Sequence, residues 1–75
     1  MKDLLLYLAQ SLVDDPSSVV INEKESDNST VFEVKVAADD MGKIIGKQGK
    51  NAQAIRTIMK AASSKENKRV IVEIV

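Results

Sequence analysis

Residues 41–55 read MGKIIGKQGKNAQAI and hold all three glycines of the 75-residue chain. Lysines and glycines at this density suggest a phosphate loop, whereas the adjacent isoleucines Ile44 and Ile45 suggest packing. A Walker A loop has four residues between its glycines and a Ser or Thr after the lysine to hold magnesium. Here three residues separate Gly42 from Gly46, and Gln48 follows Lys47. Spacing and chemistry therefore argue against a nucleotide hydrolase. Met41, Ile44 and Ile45 instead read as one face of a short helix capped by Asp39 or Asp40. Gly46 stops that helix. A second helix is predicted from about Lys50 to Ser63, with Ile55, Ile58, Met59 and Ala62 toward the core. Lys50, Gln53, Arg56 and Lys60 lie toward its other side. The unit is helix, glycine loop, helix.

Outward from this unit the pattern changes period. Phe32, Val34 and Val36 alternate with Glu33 and Lys35, the mark of a half-buried strand. Val19–Ser26 reads as a second strand, and SDNS between them as a turn in which Asp27 and Asn28 tolerate left-handed backbone. Leu4, Leu5, Leu8 and Leu12 repeat at helical spacing over residues 3–13. Asp14, Asp15 and Pro16 end that helix, since proline disfavours helical backbone in the residue before it. SSKEN is a connector, and Val70–Val75 is a β-branched final strand. The expected fold class is α+β in one domain over residues 1–75, ordered α-β-β-α-α-β, with helices on one face of a three-stranded sheet.

Composition narrows the chemistry. The chain has neither cysteine nor histidine, which removes disulfides, thiolate nucleophiles, the commonest general base and the commonest transition-metal ligand. Nothing resembles a paired acid and base with positioning groups, so no enzyme and no cofactor or metal is expected. The apolar N-terminal run is shorter than a bilayer span. Asp3 beside Lys2 spoils a signal peptide. A soluble cytoplasmic protein without membrane association is expected. Formal charge is zero, but residues 1–40 carry nine carboxylates against three lysines, while residues 41–65 carry six cations and no acid. That segregation points to one cationic surface.

Ile44-Ile45-Gly46-Lys47-Gln48-Gly49, with Ile55 six positions on, resembles the KH domain: two apolar residues, a G-x-x-G loop with a basic residue inside, then a helix. The element order is similar to the type II arrangement over essentially the whole chain. Among type II domains the chain resembles the bacterial single-KH family KhpA (YlqC-like). The resemblance implies single-stranded RNA as ligand, and a role in post-transcriptional control or as an RNA chaperone, linked to cell elongation and division. It also implies a homodimer, or a heterodimer with a larger KH-containing protein of the KhpB/Jag type. The alternative is a KH-fold dimerisation module with little RNA binding of its own, in which Ala54 and Ala61 pack a partner.

Physical chemistry supports a phosphate clamp independently. Glycines at 46 and 49 accept positive φ and let a phosphate approach the backbone. The first N–H groups of the following helix lack internal acceptors and attract an anion. Lys47 adds charge at the tip, and Gln48 donates or accepts without dictating a sequence. Lys43, Lys50 and Arg56 extend the contact. The expected RNA-binding set is therefore Lys43, Ile45, Gly46, Lys47, Gln48, Gly49, Lys50 and Arg56. By resemblance, bases occupy an aliphatic groove between the helix of Ile44 and Ile45 and the second strand around Val34–Ala37. Ile44 is expected mainly in the core, with Ile45 nearer the groove. Gly42 serves either close packing or approach to the ligand.

Overall fold

The computed structural model describes residues 1–64 and 68–75. Its elements are α1 (Lys2–Leu12), β1 (Val20–Glu25), β2 (Ser29–Lys35), α2 (Met41–Ile45), α3 (Lys50–Ala62) and β3 (Arg69–Ile74). This is the α-β-β-α-α-β order expected from the sequence. Part of the SSKEN connector, residues 65–67, lies outside the described residues, and Lys65 of the basic run lies there too.

α1 stops at Leu12, and Val13 is extended (φ −106°, ψ 160°). Pro16 opens a short 3-10 turn, Pro16–Ser18, at the position where its missing N–H goes unused. The hydroxyls of Ser17 and Ser18 donate to the Asp15 carboxylate at 2.7 and 2.6 Å. The Ser18 bond first, then that of Ser17, holds the Asp15 carboxyl below the usual range.

β1 and β2 form an antiparallel hairpin in which Ile21 faces Val34 and Glu25 faces Thr30. The reversal is closed by the two serines: Ser26 N–H donates to Ser29 O at 2.8 Å, and their hydroxyls lie 2.8 Å apart. Among the described residues the only non-glycine with positive φ is Gln48. Asp27 and Asn28 therefore turn the chain without the left-handed backbone expected of them.

Strand order is β1-β2-β3. β3 runs parallel to β2, from Ser29 opposite Arg69 to Val34 opposite Ile74. A parallel return requires a crossover, and α2, the glycine loop and α3 supply it. β2 is thus the central strand, with both edges paired, while β3 presents one open edge.

The core gathers Leu5 and Ala9 from α1, Ile21, Phe32, Val34 and Val72 from the sheet, Ile44 from α2, and Ile55 and Met59 from α3. Phe32 is buried, whereas Tyr7 is exposed. The buried face of α3 differs from the sequence reading, and in α2 Ile44 is in the core as expected while Ile45 does not share its face. Ala52, Ile55 and Met59 form the buried stripe of α3, while Ile58 is 42% exposed and Ala62 is also exposed. Spacings of three and four select Ala52, and Ile58 falls outside that stripe. In α2, Ile44 is fully buried and Ile45 is 38% exposed. Adjacent residues are about 100° apart around a helix axis and do not share its inward face.

Candidate nucleic-acid interface

α2 is one turn long, and Gly46 N–H closes it by donating to Gly42 O at 2.9 Å. Gly46 then takes φ 78°, ψ 172°, a region essentially reserved for glycine. Gln48 (φ 59°, ψ 25°) and Gly49 (φ 74°, ψ 14°) are both left-handed. For glutamine this backbone costs about 1–2 kcal/mol. Two left-handed residues in sequence turn the chain into α3.

A second constraint acts at Gly46 alone. A Cβ there would lie 2.6 Å from Asn51 Cγ, whereas at Gly42 and Gly49 it would meet nothing within 4 Å. Packing within the chain therefore does not require glycine at 42.

The loop's donors are distributed differently from the sequence expectation. Gly49 N–H donates to Gly46 O at 3.1 Å, and Lys50 N–H donates to Lys47 O. The first donors of α3 are thus not all free. Lys47 and Gln48 form, with Gly49, a short 3-10 turn ahead of α3. Both side chains are exposed. The 13-residue α3 directs the positive end of its dipole toward this turn.

The remaining cations do not form one line. Lys43 donates to the Asp14 carboxylate and lies 3.7 Å from Asp40 Oδ1. The Asp14 hydrogen bond, followed by attraction to both carboxylates, holds its ammonium above the usual lysine value. Whatever this pairing contributes is complete at neutral pH and is lost as pH rises through that raised value. Lys50 borders a shallow hollow with Gln53, Ala54, Thr57 and Ile58. Arg56 turns the other way, and its Nε donates to Val72 O on the open edge of β3 at 3.2 Å. There a cleft of about 230 Å³ is lined by Arg56, Lys60, Arg69, Val70, Ile71 and Val72.

The open wall beside α3 is accordingly β3. The segment expected as a groove wall, around Val34–Ala37, belongs to the central strand and its end, with Val34 1% and Val36 7% exposed. Arg69 escaped the sequence reading because charges in the last ten residues cancel, which hides a cation at a strand edge.

Neither Asp39 nor Asp40 caps α2 through its side chain. Asp40 is 2% exposed, and its carboxylate accepts from the N–H groups of Asp14 (3.2 Å) and Asp15 (3.0 Å). It ties the connector after α1 to the start of α2 and lies beside Lys43.

Among the described residues no helix is long and apolar enough to cross a membrane, and no group of three or more acidic, His or Cys side chains is placed to hold a metal.

A G-x-x-G turn between two helices, on a sheet with a parallel last strand, defines a KH domain of type II. Residues 2–74 match the family described as KhpA/KhpB, KH domain. The RNA-binding protein KhpA of Clostridium acetobutylicum is 57% identical over 75 residues, covering the whole of both chains. That of Caldanaerobacter subterraneus subsp. tengcongensis is 56% identical over 75 residues, again covering both. The Listeria monocytogenes serovar 1/2a protein of the same name is 44% identical over 75 residues, covering 100% of this chain and 99% of its own. No solved structure gives a significant match. The chain belongs to the KhpA/KhpB KH-domain family.

Replacing Asp40 by Asn should remove a buried charge that accepts two backbone N–H bonds, costing about 2–3 kcal/mol in urea unfolding. Asp14→Asn, at an exposed position, should cost less than about 1 kcal/mol. Equal effects would show that the buried carboxylate does not organise this corner.

Proposed function

We propose that the chain binds single-stranded RNA, with the Gly46–Gly49 loop clamping the sugar-phosphate backbone. The observation that carries this reading is the loop itself. Its two ends, Gly46 and Gly49, lack side chains and take positive φ, and the exposed Lys47 and Gln48 stand between them. Relatives across the whole chain are named RNA-binding protein, which supports RNA as the ligand.

Phosphates supply most of the affinity in this reading. Lys47 and Gln48 contact them at the turn, and Lys50 continues from the first turn of α3. Lys43 joins only by exchanging Asp14 for phosphate. Bases lie along the cleft between α3 and β3, where Arg56 contributes, and Ile45 offers apolar contact beside the loop. Phe32 is buried and Tyr7 lies on α1, so the cleft is lined without aromatics. Low sequence selectivity follows, since stacking platforms are missing from that lining. The cellular role proposed is post-transcriptional regulation or RNA chaperoning in the cytoplasm, with a link to cell elongation and division.

A second reading, compatible with the first, is association through α3. Ile58 is 42% exposed, with Ala54 and Ala61 also exposed on the helix. A homodimer, or a pairing with a larger KhpB-like protein, would cover this face and present two loops to one RNA.

The double variant Lys47→Asp/Gln48→Asp should weaken RNA binding by at least about tenfold through lost phosphate contacts. Its melting temperature should scarcely move, because both side chains are exposed and aspartate tolerates left-handed backbone at 48. Unchanged RNA affinity would sink the clamp. For association, sedimentation of the Ile58→Lys variant should give a monomer where the parent self-associates; the same mass for both would remove α3 as the contact.

A further inference from the structure

The loop's backbone hydrogen bonds from Gly46 to Gly42, Gly49 to Gly46 and Lys50 to Lys47 are short-range. Each shapes a turn, but none ties the end of α2 to α3 across the loop. Asn51 does. Its Nδ2 donates to Lys43 O at 2.9 Å, reaching back eight residues. Because a carbonyl only accepts, the nitrogen must be the atom that meets it. The same side chain packs where Gly46 has no Cβ: Cγ, Cβ and Nδ2 lie 2.6, 2.8 and 2.8 Å from the position a Cβ would take.

The requirements on this residue are narrow. It must donate, it must be short, and it must lie flat against a glycine. Aspartate keeps the shape but turns a carboxylate toward a carbonyl oxygen. Glutamine is one methylene too long for a gap already at contact distance. Lys43 is meanwhile held from its other end, since its ammonium pairs with Asp14 and lies beside Asp40. The staple from Asn51 therefore ends on a residue that is itself anchored.

We propose that Asn51 is the positioning residue of the glycine loop, stapling the end of α2 to the start of α3 so that the turn is already shaped when phosphate arrives. This rests on the reading of the loop as the clamp. Its benefit is pre-organisation: a loop already ordered in the free protein loses less freedom on binding. Asn51 need not touch RNA, and its contribution is read in the RNA-free protein.

The test compares the parent with Asn51→Ala and Asn51→Asp, using amide hydrogen exchange without RNA and binding to a short single-stranded oligouridylate. Both variants should fold, and both should speed exchange at the hydrogen-bonded amides of Gly46, Gly49 and Lys50 by about five- to tenfold, the loss of one hydrogen bond. Core amides of β2 should keep their parent rates. Oligouridylate affinity of Asn51→Ala should fall several-fold, with its salt dependence unchanged because that substitution changes no charge. In the RNA-free exchange experiment, Asn51→Asp loosening the loop like Asn51→Ala assigns the effect to the donated bond, since its shape is retained. Loop exchange at parent rates, or a uniform rise across the domain, would overturn the staple. A loosened loop with undiminished affinity would overturn its role in binding. Lys47→Asp/Gln48→Asp serves as the control: if that variant binds like the parent, the clamp reading fails, while the exchange data still decide what Asn51 does to the loop.

Discussion

Position 46 has no room for a side chain, and the rest of the site is arranged around that fact. Its backbone (φ 78°, ψ 172°) lies where residues other than glycine scarcely go, and the Asn51 carboxamide occupies the space a Cβ would need. The two constraints are independent. Both act at the point where α2 ends and the turn into α3 begins. A substitution here would strain the turn and displace the Asn51 side chain.

The electrostatic arrangement divides the cations. The sequence places its carboxylates before residue 41 and its cations after it, but folding brings two of those carboxylates back. Asp14 and Asp40 meet Lys43, and the buried Asp40 also satisfies two backbone donors of the connector after α1. Lys43 is therefore partly neutralised inside the protein. Lys47 stands at the turn, Lys50 at the start of α3, and Arg56, Lys60 and Arg69 around the cleft at the β3 edge. The surface offered to a polyanion is a turn joined to an edge, rather than a stripe along one helix. Salt sensitivity is the expected signature of such a surface.

Much of this was legible in the chain. Glycine spacing, two isoleucines before the loop and an apolar position six residues beyond it identified the helix-loop-helix unit, and alternation through Phe32, Val34 and Val36 identified the strand that became the centre of the sheet. What failed did so for physical reasons. Ile58 outweighs Ala52 on any hydrophobicity scale, yet the helix rotation is set by what packs against it, and Ala52 faces inward. Strand order is not written along the chain, so the open wall was placed at Val34–Ala37 when the parallel return makes β3 the edge. Asp40 follows the local statistics of a cap, but its partners lie 25 and 26 residues away. Asn51 gave no signal at all, because its meaning depends on the carbonyl of Lys43 across the loop.

The central claim is that the Gly46–Gly49 turn and the α3–β3 cleft together form the nucleic-acid contact. Mapping amide chemical shifts during titration with a short single-stranded RNA tests it most directly. The largest changes are expected at Gly46, Lys47, Gln48 and Gly49, continuing through Arg56, Lys60 and Arg69–Val72, with the whole pattern fading as salt is raised. Changes confined to the Ile58 face of α3, or a loop that stays silent while RNA binds elsewhere, would contradict it.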